Sequence, residues 1–101
     1  MQIKIDEQKA GSNIFHLMRK IGYLELRDRR TSQVGYVRKI GAGFYPRFHA
    51  HASYDPKNNL ILDLHFENYK PMHKQGTSRV ENDGAVLEQE GERIKMMLGL
   101  T

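Results

Sequence analysis

The chain has no cysteine, and none of its apolar stretches approaches the length of a membrane span. Without cysteine, neither a disulfide framework nor a zinc site with cysteine ligands can form. The N-terminal segment, MQIKIDEQKAGS, is rich in charged residues and lacks the apolar core of a signal peptide. These absences predict a soluble cytoplasmic protein that has no membrane partner.

The sequence also lacks the common catalytic motifs. The segment GAGF at 41–44 has neither the spacing nor the lysine of a P-loop, and there is no G-x-S-x-G element. Ser53, His51 and Asp63 could suggest a triad. However, Ser53 and His51 lie two positions apart on one predicted strand, too far for a reliable hydrogen bond. The sequence therefore favours a non-enzymatic protein and leaves the question of catalysis open.

Composition is that of a globular protein, with 39% hydrophobic and 28% charged residues. A chain of 101 residues without repeats or a linker predicts one domain spanning 1–101. The net charge of +4 is uneven, because residues 1–50 hold ten Lys and Arg against four Asp and Glu, and residues 51–101 hold six against eight. The basic excess at 19–47 is compatible with a nucleic-acid or phosphate partner, and equally with an ordinary solvated surface.

Two amphipathic segments have the periodicity of helices. Ser12-Asn13 can cap the first, which Gly22 ends, and the second is expected over 84–98 with Met97 among its inward residues. Gly91, in the middle of the second helix, would be tolerated if that helix approached the sheet closely.

The remaining segments predict a sheet. Residues 23–30 fit a strand or a helix, whereas 33–40 is better explained as a strand because it is rich in β-branched and aromatic residues. The segment 44–70 adds two more predicted strands. We therefore expect an α+β fold, with a small antiparallel sheet of three or four strands and an N-terminal and a C-terminal helix packed on its apolar face.

The clearest pattern lies at 44–70, FYPRFHAHASYDPKNNLILDLHFENYK, where apolar and polar residues alternate in two segments. The DPKNN between them suits a tight turn in which Asn58 takes the left-handed conformation. If Asp55 and Asn59 flank this turn, burial of the apolar face fixes the register. The expected pairs are Tyr54–Leu60, Ala52–Leu62, Ala50–Leu64 and Phe48–Phe66 on the apolar face, and His51–Asp63, His49–His65 and Arg47–Glu67 on the polar face.

The polar face of this hairpin carries the candidate site. Three imidazoles and a carboxylate are the ligand set of catalytic zinc and of manganese or iron sites. The predicted ligands of zinc or manganese are His49, His51, Asp63 and His65. The residues predicted to bind a ligand or a phosphate group are Arg47, Glu67, His73 and Tyr45. The alternative is a wet sheet face stabilised by cross-strand charge pairs, each worth about 0.2–1 kcal/mol, with no further role.

Three functional hypotheses follow. The first is a binding module whose polar face takes a ligand, a divalent metal or a protein partner. The second is a nucleic-acid-binding protein in which Tyr36, Phe44 and Tyr45 stack on bases. The third is a metal-dependent phosphodiester hydrolase. The basic residues predicted for the second are Arg27, Arg29, Arg30, Arg38 and Lys39, together with Arg47.

The segment FHAHASY at 48–54 resembles the strand motif of HUH-type endonucleases. In that family two histidines hold a divalent metal, and a tyrosine on a later helix attacks a DNA phosphate. The match is limited to His49 and His51, and the predicted helix at 84–98 contains no tyrosine. The resemblance therefore supplies no nucleophile, and we disfavour it.

A second resemblance covers more of the chain. YPRFH at 45–49, LDLHFENYKP at 62–71 and DGAVLEQEGERIK at 83–95 are similar to a group of short microbial proteins. Those proteins carry a Y-P-R-F-H strand, a following L-H-L-D-type strand and a closing E-x-E-x-x-R-I helix. The resemblance implies a shared domain and no particular reaction. The matching positions are Arg47, His49 and His65.

Overall fold

The computed structural model describes residues 1–11, 13–68 and 84–100, which form a five-stranded antiparallel sheet and three helices. The strands are β1 (Gln2–Ile5), β2 (Leu24–Arg27), β3 (Val34–Lys39), β4 (Arg47–Tyr54) and β5 (Leu60–Glu67), and the helices are α1 (Glu7–Ala10), α2 (Ile14–Lys20) and α3 (Gly84–Met97). The order across the sheet is β1-β5-β4-β3-β2. The predicted α+β class is confirmed, but the sheet has five strands where three or four were expected.

The additional strand is β1. Ile3 and Ile5 are buried and pair with Leu62 and Leu60 of β5. Alternation over four residues is at the lower limit of the strand signal, and the partner strand, β5, lies far away in sequence. The ambiguous segment 23–30 contains β2, an edge strand that pairs with β3.

The β4–β5 hairpin has the predicted register. All the expected cross-strand pairs form, from Arg47–Glu67 at one end to Tyr54–Leu60 at the other. In the turn, Asn58 has a φ of +67°. Asp55 closes the turn, because its Oδ1 accepts hydrogen bonds at 2.9 Å from the backbone N–H groups of two residues that follow.

One face of the sheet is apolar and carries α2 and α3. Its core is formed by strand residues Ile3, Ile5, Tyr36, Phe48, Ala50, Leu60, Leu62 and Leu64, and by Leu17, Met18, Ile21, Leu87 and Ile94 in or beside the helices. Gly91 permits the close approach that was predicted, since a Cβ at this position would lie 3.1 Å from Met1 Sδ. The expectation that Met97 faces inward was wrong: it is 44% exposed, because the inward stripe of α3 runs through Ile94 and leaves Met97 to one side.

The opposite face of the sheet, called the open face below, has no helix against it in the described part of the chain. The helical residues of the core all pack on the apolar face. Because side chains alternate along a strand, the observed register assigns the residues of the open face. They are Gln2, Lys4, Leu24, Leu26, Gly35, Val37, Lys39, Arg47, His49, His51, Ser53, Ile61, Asp63, His65 and Glu67.

Candidate functional site

His49 is fixed in the middle of the open face by two neighbours. Its ring lies against the backbone of Gly35 on β3, where a Cβ would be only 2.6 Å from His49 Nε2. On the other side of the ring, Nδ1 is 3.1 Å from Oε2 of Glu67. The glycine at 35 and the carboxylate at 67 therefore set the orientation of this imidazole.

Glu67 is a largely buried carboxylate that contacts two basic groups. Arg47 Nε donates to Glu67 Oε1 at 2.6 Å, and the Arg47 guanidinium lies 4.5 Å from the centre of the Tyr45 ring. Burial raises the pKa of Glu67, but the hydrogen bonds with His49 and Arg47 outweigh it and lower the pKa to about 2. Glu67 is therefore ionised at neutral pH and orients both partners.

His51 and His65 continue the row of imidazoles. The ring centres of His49 and His51 are 4.5 Å apart, and those of His51 and His65 are 6.0 Å apart. His65 Nε2 is 3.6 Å from Asp63 Oδ2, an ion-pair distance that is too long for a hydrogen bond. Burial and the neighbouring imidazoles lower the pKa of His51, against a smaller opposing effect of the nearby carboxylates. His51 is therefore uncharged at neutral pH.

The predicted metal ligands share one patch but are not arranged around a common point. Within residues 1–11, 13–68 and 84–100, no three His, Asp or Glu side chains are placed to hold one ion. His49 contacts Glu67 and His65 contacts Asp63, so two of the three rings already have a carboxylate partner. Binding of zinc or manganese at His49, His51, Asp63 and His65 stays a prediction.

The residues predicted to bind a ligand or phosphate are partly brought together. Arg47 contacts both Tyr45 and Glu67 at one end of the open face. His73 lies outside the described residues. The arrangement presents one ion-paired arginine, stacked on a tyrosine, at the edge of the imidazole row.

The residues predicted to bind nucleic acid are divided between the two faces. Lys39 is on the open face, whereas the register places Arg27 and Arg38 on the helix-covered face, opposite Val34 and Phe48. Arg29 and Arg30 are exposed in the turn between β2 and β3. Tyr36 is only 5% exposed, so its predicted stacking on a base was wrong.

Sequence reasoning missed a charged cluster on the helix-covered face. Glu90 of α3 is 4% exposed and accepts a hydrogen bond from Tyr23 Oη at 2.6 Å. Arg93 and Arg38 also contact this carboxylate. The available signal was the position of Glu90, three residues after Leu87 and four before Ile94, because a carboxylate in an inward helical stripe requires partners.

Comparisons with known proteins leave the function undefined. No protein-family model matches the chain, and no curated protein or solved structure matches it. Within the part of the chain that the structure describes, no helix is long and apolar enough to cross a bilayer.

Proposed function

We propose that the protein is a small non-catalytic binding module. Its binding surface is the open-face cluster, defined as Arg47, His49, His51, Asp63, His65 and Glu67. The observation that supports this best is the row of three imidazoles, with ring centres 4.5 Å and 6.0 Å apart. A sheet face that is merely solvated gains nothing from three adjacent imidazoles. Once protonated they repel one another, and this repulsion lowers the stability of the fold as the pH falls.

The chemistry of the cluster favours a divalent metal as its ligand. An uncharged imidazole has one nitrogen lone pair available, and His51 is uncharged at neutral pH because its pKa is lowered. Asp63, beside His65, adds a carboxylate oxygen. Zinc and manganese take such mixed nitrogen and oxygen ligands. Binding would require the side chains of His49 and His65 to reorient from their present contacts with Glu67 and Asp63.

The test is a titration with zinc and then manganese near neutral pH, followed through the imidazole resonances by NMR. We expect His49, His51 and His65 to shift together, while His16 on α2 does not move. The change His51→Ala should weaken zinc binding about tenfold, or about 1.4 kcal/mol, and the control His16→Ala should leave it unchanged. Affinity should fall at acidic pH, because only the neutral imidazole binds metal. Zinc that moves none of the three, or moves His16 equally, would contradict metal binding at this cluster.

A specific feature favours nucleic acid as a second candidate ligand. Lys39 Nζ lies 4.6 Å from the centre of the Phe44 ring, and Phe44 is 68% exposed. Arg47 and Tyr45 form a similar pair beside it. A ring next to a cation offers stacking to a base and charge to its phosphate.

Single-stranded oligonucleotide binding, measured by fluorescence anisotropy at several salt concentrations, tests this candidate. Affinity should fall steeply with salt because phosphate contacts release counterions. The change Phe44→Ala should weaken binding by about 1–3 kcal/mol. Phe15→Ala is the matched control, since Phe15 forms a comparable pair with Arg19 on α2. An affinity that does not change with salt, or equal weakening by both variants, would contradict nucleic-acid binding at Phe44.

Metal-dependent phosphodiester hydrolysis stays the third hypothesis, and a cleavage assay on the zinc- and manganese-loaded protein tests it.

A further inference from the structure

Two guanidinium groups meet one carboxylate on the helix-covered face of the sheet. Arg93 donates to Glu90 through Nε and Nη2, both at 2.8 Å, and Arg38 Nη1 contacts Glu90 Oε1 at 3.3 Å. Tyr23 Oη donates to Glu90 Oε2. Counted over the described residues, this cluster carries one more positive charge than negative, and it is partly shielded from water.

Of these two arginines, Arg38 makes fewer hydrogen bonds with the described residues. Arg93 uses Nη1 and Nη2 for Met97 Sδ and for the carbonyl oxygen of Ile21, in addition to its bonds with Glu90. Arg38, by contrast, has Glu90 as its one side-chain partner within the described ranges. Its Nε and Nη2 donate no hydrogen bond to any residue in those ranges. A guanidinium with two adjacent donors binds a carboxylate in a bidentate manner.

The position of Arg38 is set before any ligand arrives. Its stem packs beside the turn that follows α2, where a Cβ on Gly22 would lie 3.6 Å from Arg38 Cδ and Nε. The contact with Glu90 holds the guanidinium end, yet 33% of the side chain is exposed. A charged group that is fixed and still accessible loses little conformational entropy on binding.

Arg38 lines a cleft of about 420 Å³ between β3 and α3. Ile40, Phe48 and Val86 form its apolar walls, and its polar lining is Gln89 together with the ion-paired Glu90 and Arg93. Ile40 is 50% exposed, which leaves a large apolar side chain partly uncovered at this cleft. An apolar concavity of about 300–1,000 Å³ with a few polar groups is the usual form of a small-molecule site.

We propose that this cleft binds a small amphiphilic carboxylate, with the carboxylate on Arg38 and the apolar part against Ile40, Phe48 and Val86. Such a ligand neutralises the excess positive charge and removes Ile40 from water. The cleft is on the face of the sheet opposite the open-face cluster. The proposal is therefore independent of the function proposed for that cluster.

Hexanoate is a suitable probe, with acetate and hexanol as matched compounds that lack its tail or its charge. Binding is followed through the methyl resonances of Ile40 and Val86 and by calorimetry. We expect hexanoate to shift both residues and to bind about tenfold more tightly than acetate or hexanol. Hexanoate that binds no better than hexanol, or that shifts the open-face histidines instead, would overturn the proposal. Tighter binding of hexyl phosphate than of hexanoate would overturn the choice of a carboxylate.

Variants separate the contribution of charge from that of the apolar wall. Arg38→Gln should weaken hexanoate binding about tenfold, whereas Lys39→Gln, which removes the same charge from the opposite face, should change it less than about twofold. Ile40→Ser alters an exposed side chain and should weaken hexanoate but not acetate, which tests the site even if Arg38→Gln unfolds. Equal binding by the wild type and both cleft variants would contradict the assignment.

Discussion

Each face of the sheet carries a glutamate bound by arginine, and the two faces use this pair differently. Glu90 joins α3 to β3 through Arg38 and to the residue before β2 through Tyr23. Glu67 is bound by Arg47 and contacts His49, both within the β4–β5 hairpin. The first cluster therefore connects elements that are distant in sequence. The second orients side chains on strands that are already paired.

The two clusters also differ in their response to pH. Burial, followed by the hydrogen bond to Glu90, raises the pKa of Tyr23, and the hydrogen bonds to Glu90 raise that of Arg93. Both groups keep their charge state through the physiological range. The open-face cluster contains imidazoles, which are the side chains that change charge near neutral pH. The Glu90 cluster therefore keeps its charge state and stabilises the fold, whereas the open-face cluster can change its charge with pH.

The largest expected effect comes from removing the buried glutamate. Glu90→Ala should lower the free energy of unfolding by about 3–5 kcal/mol, because Arg93 and Arg38 lose their counter-charge and Tyr23 loses its acceptor. Urea denaturation measures the change. Glu88→Ala, an exposed position on the same helix, should stay within about 0.5 kcal/mol of the wild type. Similar losses of unfolding free energy in both variants would show that Glu90 stabilises the fold no more than an exposed glutamate does.

A smaller and pH-dependent effect is expected from Glu67→Gln. The pKa of Glu67 is about 2 in the folded protein, below its ordinary value of 4.5, so its ionised form stabilises the fold above pH 4.5. That contribution is lost as the pH falls from 4.5 towards 2. The variant should be about 1–3 kcal/mol less stable at neutral pH and should approach the wild type in acid. Urea denaturation at several pH values measures this, with Glu88→Gln as the control. A difference that does not change with pH would contradict the assignment of this pKa.

The smallest effect on stability is expected from Gly35→Ala. The added Cβ would meet His49 Nε2 at 2.6 Å, so the ring must move and its contact with Glu67 weakens. The lost hydrogen bond and the better strand propensity of alanine are each worth about 1 kcal/mol or less and oppose each other. The pKa of Glu67, followed by carboxyl NMR, should nevertheless rise above about 2. Gly41→Ala, which meets nothing within 4 Å, is the control. An unchanged Glu67 pKa in Gly35→Ala would show that Gly35 does not position His49.

The alternation of residues predicted the hairpin well because one face of it is buried. Shifting the register by one residue would expose Leu62 and Leu64 and bury the histidines, so the sequence admits one pairing. The strand β1 could not be predicted in the same way. Ile3 and Ile5 alternate over only four residues, and their burial depends on an edge that β5 provides.

The sequence predicted that the candidate ligands share one patch, but it did not predict their contacts. The register alone places His49, His51, Asp63 and His65 on one patch. The orientation of each ring depends on groups outside that set, such as the missing side chain of Gly35 and the carboxylate of Glu67. The burial of Tyr36 and the turn of Arg38 towards Glu90 depend on helix packing, which a strand pattern does not contain.

The pairing of β1 with β5 has a consequence for the order of folding. Each of β2, β3 and β4 pairs with the next strand in sequence, so β2 to β5 can assemble as successive hairpins with short loops. Strand β1 must instead close a loop that runs through all of these strands, and its entropy makes that contact late. Until β1 arrives, β5 presents an unpaired edge that can join another chain. Local opening of β1 would recreate that edge.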